Sequence, residues 1–107
     1  MKTLKKIIIA IFIVPIFSLT VLGDEILDLY KHLHANPELS WQEYKTSDLL
    51  AEKMEELGFS VTKGFAKTGV VSIYKNGKGP VLMIRADMDG LPVQEKTGLK
   101  YASKVRS

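Results

Sequence analysis

Four consecutive apolar residues, Val81-Leu82-Met83-Ile84, run without polar alternation into an acidic turn, Arg85-Ala86-Asp87-Met88-Asp89-Gly90-Leu91-Pro92. A strand apolar on both faces is most simply a central strand covered on both sides, the signature of an open α/β sheet. Such sheets gather their chemistry just beyond the carboxyl ends of their strands. That is where the sequence places Asp87 and Asp89.

The elements before this run support the same class. Ile26, Leu29, Tyr30 and Leu33 fall at the i, i+3, i+4, i+7 spacing of an amphipathic helix. The break Ala35-Asn36-Pro37 ends it, because a residue before proline is driven out of the helical region. Ser40-Trp41-Gln42-Glu43 has the form of a capping box, with Leu39 and Tyr44 as its hydrophobic staple. A second helix is expected from there, with a buried stripe through Ser47, Leu50, Met54 and Leu57 and a left-handed stop at Gly58. The period then changes from 3.6 to 2. Phe59, Val61 and Phe65 alternate with polar neighbours in one strand, whose far end Gly64 weakens, and Val70 to Lys75 forms a second. Asn76 to Gly79 turns the chain back, and Val81 to Ile84 is the third and innermost strand. Two helices then three strands give an α/β chain, and no usable period follows Pro92.

The amino terminus is a different kind of segment. Lys2, Lys5 and Lys6 precede an apolar stretch, Ile7 to Phe17, broken only by Pro15, and Gly23 stands before the first acids. This pattern is expected to be a secretory signal over residues 1–23, making the product periplasmic or secreted. The alternative is an uncleaved membrane anchor over residues 7–23. Pro15, Ser18 and Thr20 weaken it as a spanning helix. Without the three leader lysines, the fifteen basic residues fall to twelve, matching the twelve acids over residues 24–107. A neutral chain with no basic run excludes a nucleic-acid partner. No cysteine is present, so stability is expected to come from packing alone, without disulfides.

Few residues offer chemistry. Asp87 and Asp89, two positions apart in a turn, suit a hard or borderline divalent cation, or can orient a ligating histidine. Against that stands an ordinary loop role, one acid capping a helix and the other pairing with Arg85. His32 and His34 cannot share an ion on a helix, where positions i and i+2 point about 200° apart. Trp41 is expected to be a packing residue, and Glu38 and Glu43 to be turn and cap acids. Ser40 lacks a base or an elbow of glycines to make it a nucleophile. Gly77 and Gly79 lack the lysine and hydroxyl residue of a phosphate loop.

Taken together, Leu33-His34-Ala35-Asn36-Pro37-Glu38-Leu39-Ser40, Glu43, Arg85 to Pro92 and Gln94-Glu95 resemble the start of a family of metal-dependent amidohydrolases. That family includes N-acyl-amino-acid amidohydrolase, hippurate hydrolase and the auxin-conjugate hydrolases. The resemblance runs from about Asp28 to Val105. It implies an incomplete, N-terminal portion (residues 24–107) of a zinc-peptidase-like α/β/α sandwich, into which the family inserts a smaller lid domain. It further implies hydrolysis of the amide of an N-acyl amino acid or small peptide. In the mechanism the resemblance implies, a pair of divalent metal ions (zinc, manganese or cobalt) would activate water beside a glutamate base. A His-x-Asp motif of related peptidases falls on Asp87-Met88-Asp89. This puts Asp87 at the metal position and Asp89 at the ligand-orienting one, and aspartate in place of histidine makes Asp89 the firmer of the two. Gly90 replaces the more usual alanine, read as a small change. The family's His-Ala-Cys-Gly-His-Asp motif and glutamate pair are absent from the sequence. The chain alone is therefore expected to bind no metal tightly and to be inactive. A short, non-enzymatic secreted binding or regulatory fragment is the alternative.

Overall fold

The computed structural model describes residues 23–106. The segment expected from its sequence to be an export signal or anchor, residues 1–23, lies outside them save for Gly23. Among the described residues no helix is long and apolar enough to cross a membrane. The described residues divide into two units, the first ending at His34 and the second beginning at Ala35.

Helix α1 occupies residues 23–35, as the apolar spacing requires, and all but its last residue belong to the first unit. The Tyr30 and His34 rings meet one turn apart, tilted by 47° with 5.8 Å between centroids, and Lys31 pairs with Asp28 across the preceding turn at 3.7 Å. His32 and His34 both lie on this helix, two positions apart, so the geometry that separates their rings holds.

The second unit is built on helix α2, Tyr44–Glu56, followed by strands β1, Ser60–Phe65, and β2, Gly69–Ile73. The helix ends in a Schellman motif: the Gly58 amide donates to the Glu55 carbonyl (2.9 Å) and the Phe59 amide to that of Met54 (3.0 Å). Gly58 has φ +85°, a conformation that costs a side-chain-bearing residue about 1–2 kcal/mol. The two strands pair antiparallel, Ser60 opposite Ile73 and Lys63 opposite Val70, with a bulge between Lys63 and Phe65. Gly64 sits in that bulge at φ +81°, so its effect is a local kink with the pairing continuing to Phe65. At the open end of the hairpin Phe59 packs on Tyr74, centroids 5.2 Å apart.

The buried stripe of α2 is displaced from the expected one. Thr46, Ser47 and Ala51 are its buried residues, Leu50 and Met54 are half-buried, and Leu57 stands in solvent. Ala51 is the one buried apolar residue among those described; Glu43, Thr46, Ser47 and Thr68 are the other buried groups. Small and polar side chains let the helix approach the hairpin closely, but they release little apolar surface from water.

The third strand does not form. Residues 81–84 take no part in a ladder and are between 84% and 97% exposed. A central strand needs a neighbour on each edge and a cover on each face. Among the described residues nothing supplies either. Burying one such side chain contributes about 1.5–3 kcal/mol, whereas each exposed ion pair contributes only about 0–1 kcal/mol. The unburied run therefore outweighs what the surface ion pairs can return.

Replacing Leu82 with serine should leave the denaturant midpoint of the full chain unchanged and reduce binding of an apolar dye. Equilibrium unfolding checks this. A loss of about 2 kcal/mol or more, the cost of truncating a buried leucine, would show the run to be packed.

Candidate functional site

The loop before α2 and the acidic turn meet, although about fifty residues separate them. The Gly90 amide donates to the Glu38 carbonyl at 2.7 Å, and Leu39 and Gly90 form an isolated parallel bridge. Beside this bridge the Ser40 hydroxyl donates to Asp89 Oδ2. A Cβ added at Gly90 would lie 2.6 Å from Cβ of Pro37. Glycine is what allows the two backbones to approach.

The loop is fixed to α2 from the other side. The Glu38 carboxylate accepts the Thr46 amide at 2.7 Å and the Lys45 amide at 3.2 Å, two of the free donors at the helix start. The cap comes from Glu38. The expected box of Ser40 and Glu43 does not form, because α2 begins only at Tyr44 and its N-cap, Glu43, makes no side-chain cap bond. Instead the Glu43 carboxylate, 7% exposed, accepts the Thr68 hydroxyl at 2.7 Å. This ties the helix start to the hairpin turn. Between Ser40 and Gln42 the chain reverses through Trp41 at φ +68°. Trp41 is 59% exposed, and the expected packing role is not fulfilled.

Electrostatics follow the contacts. Burial opposes ionisation of Glu38, but the Thr46 and Lys45 amides outweigh it and hold the carboxyl below its ordinary value. For Glu43 the Thr68 hydroxyl is the chief cause of a lowered value, working against burial and the nearby negative charge of Asp89.

The two aspartates have different surroundings. Asp87 pairs with Arg85 at 2.5 Å on an exposed segment, which is the loop-acid arrangement. Asp89 is drawn against Ser40. Beyond the turn, Glu95 accepts the Thr97 hydroxyl and, at 2.6 Å, the Ser103 amide, organising a stretch that has no regular element. Among the described residues no three His, Cys, Asp or Glu groups converge as a metal shell would require. A carboxylate tied to arginine and another tied to serine do not fit a closed four-ligand site. No bond-making step is therefore assigned to a metal held by these residues alone.

Sequence reasoning missed Ser40 and Thr68 as partners of the acids. No local pattern pairs residues that far apart, and the capping-box spelling pointed Ser40 at its own helix.

No family model matches the chain. Individual proteins do. It is 40% identical over 88 residues to the N-acetyl-L-cysteine deacetylase of Bacillus subtilis, a match covering 81% of this chain and 21% of that protein. It is 46% identical over 88 residues to the hippurate hydrolase of Campylobacter jejuni, covering 75% and 23%. Among solved structures it resembles Bacillus subtilis YXEP, described as a dinuclear metal-binding peptidase of the M20 family. The TM-score is 0.73 at 38% identity, over 81% of this chain and 25% of that one. With the helix, hairpin and two joined motifs described above, these similarities place the chain in the M20 family of amidohydrolases and peptidases. It spans about a fifth of the length of the curated relatives it matches.

Acid should weaken this site. Groups with lowered folded values stabilise the fold above the ordinary glutamate value of 4.5 and lose that contribution as pH falls through the lowered values. Denaturant midpoints across this window should decline, and Glu43→Gln should flatten the decline. An equally steep decline in the variant would contradict the assignment.

Gly90→Ala should loosen the junction, since the added methyl meets a proline ring that has little freedom to move. A lower unfolding midpoint, lowered less in a Pro37→Gly background, where the opposing Cβ is gone, than in the unaltered chain, is the expected result. An unchanged midpoint for Gly90→Ala would show that the loop yields freely.

Proposed function

We propose that this chain forms the first part of the catalytic domain of an exported, metal-dependent amidohydrolase. Its substrate class is an N-acyl amino acid or related small peptide, cleaved at the amide. The observation that carries the reading is the junction itself. The two main segments on which the family resemblance rests, Leu33 to Ser40 and Arg85 to Pro92, are bound to each other by the Glu38–Gly90 hydrogen bond and the Leu39–Gly90 bridge.

In this reading Asp89 orients a metal ligand supplied by another part of the polypeptide. Asp87 stands at the neighbouring ligand position, balanced by Arg85. The metal, when bound by the complete ligand set, supplies Lewis acidity and an activated water. This chain contributes the scaffold, the acidic turn and its orientation. Relatives described as a deacetylase of N-acetyl-L-cysteine and a hydrolase of hippurate support the substrate class. Export rests on the basic and apolar start of the sequence.

A hybrid tests the reading. Residues 24–106 replace the matching segment of the Bacillus subtilis deacetylase, and turnover of N-acetyl-L-cysteine is measured with and without a chelator. The hybrid should be active, lose activity on chelation, and lose about tenfold or more with Asp89→Asn. A hybrid with native-like circular dichroism and metal content but no turnover would count against the function.

A further inference from the structure

We infer that Ser40 is a positioning residue for Asp89, and that the segment Pro37 to Ser40 is the template that sets the aim of that carboxylate. The inference deepens the proposed function and rests on its reading of Asp89 as the orienting acid.

Asp89 lies on a segment with no helix or ladder of its own. A carboxylate there is free to change rotamer unless something outside the segment restrains it, since the short-range partner in the turn, Arg85, is engaged by Asp87. Three contacts from one loop restrain it. The pyrrolidine of Pro37 sets how closely the loop and Gly90 approach. The Glu38 carbonyl, taking the Gly90 amide at 2.7 Å, sets the register of the turn. The Ser40 hydroxyl then fixes the side chain by donating to Oδ2. Serine is short, so ordering its hydroxyl costs little rotamer freedom.

The competing duty of Ser40 is excluded by position. As a helix cap it would accept amides at the start of α2, but α2 starts four residues later and its first free amides, those of Lys45 and Thr46, belong to Glu38. The template has a fixed reference as well. Glu38 anchors it to the helix, and Glu43 anchors the helix start to Thr68. Immediately after Ser40 the chain adopts the left-handed conformation at Trp41, φ +68°. A bulky residue held there is strained, and such strain persists only where surrounding contacts impose it. The reversal carries the chain back to α2 while Ser40 stays on the turn.

The test uses the full chain and the hybrid. At neutral pH the side-chain carboxyl carbon resonance of Asp89 should move in Ser40→Ala and return in Ser40→Thr, while that of Asp87 stays in place. In the hybrid, Ser40→Ala should lower kcat about tenfold with KM unchanged. Ser40→Thr should restore it, and Ser40→Ala should add nothing in an Asp89→Asn background. An Asp89 resonance indifferent to Ser40→Ala, or losses from the two substitutions that multiply, would overturn the inference. If Asp89→Asn costs the hybrid nothing, the orienting role fails instead, and the resonance of Asp89 still decides whether Ser40 holds it.

Discussion

A single buried hydrogen bond, from the Thr68 hydroxyl to the Glu43 carboxylate, links the parts of the second unit. It joins the start of α2 to the turn of the hairpin. This matters because Ala51 is the one buried apolar residue among those described. In an ordinary domain apolar burial would set these elements against each other. Here direction comes from polar contacts. Glu43 locks the helix to the hairpin, Glu38 locks the preceding loop to the helix, and the loop in turn holds the acidic turn. Polar contacts of this kind are directional and costly to leave unmade once buried. They can therefore specify geometry where they add little net stability.

The same arrangement explains how a site can exist in so thin a structure. Asp89 is exposed and sits on irregular chain, yet the backbone on one side of it and its own carboxylate are both held by residues of a distant loop. Glycine at position 90 is part of that arrangement, because the proline ring occupies the space a side chain would need. Asp87, two residues earlier, faces a different environment and balances Arg85. Adjacent acids in one turn are thus separated by what lies against them.

Much of this was legible in the sequence, and the limits are instructive. Helix α1, helix α2 with its glycine stop, and the two hairpin strands follow from periodicity and from the conformations that proline and glycine permit, all local properties. The family was legible from two motifs in order. What misled were the readings of a third strand, a capping box and a helix stripe, each of which depended on partners that sequence does not show. Val81 to Ile84 carries the pattern of a central strand, but a pattern records which environment suits the residues and cannot supply the neighbours. Ser40 and Glu43 spell a capping box, yet Thr68 and Asp89 offered them other partners and Glu38 took the amides. The helix stripe fell on Thr46, Ser47 and Ala51 because close approach to the hairpin favours small side chains over Leu57. Gly90 looked like a minor change because the ring of Pro37 cannot be seen from position 90 in the sequence.

Amide hydrogen exchange across the full chain tests this account most directly, residue by residue, at neutral pH. Protection is predicted in α2, in the hairpin and at the lone Gly90 amide, with residues 81–84 exchanging at free-chain rates. Protected amides at Val81 to Ile84 together with free exchange at Gly90 would contradict it, for they would mean that an apolar strand, and not the polar junction, organises the acidic turn.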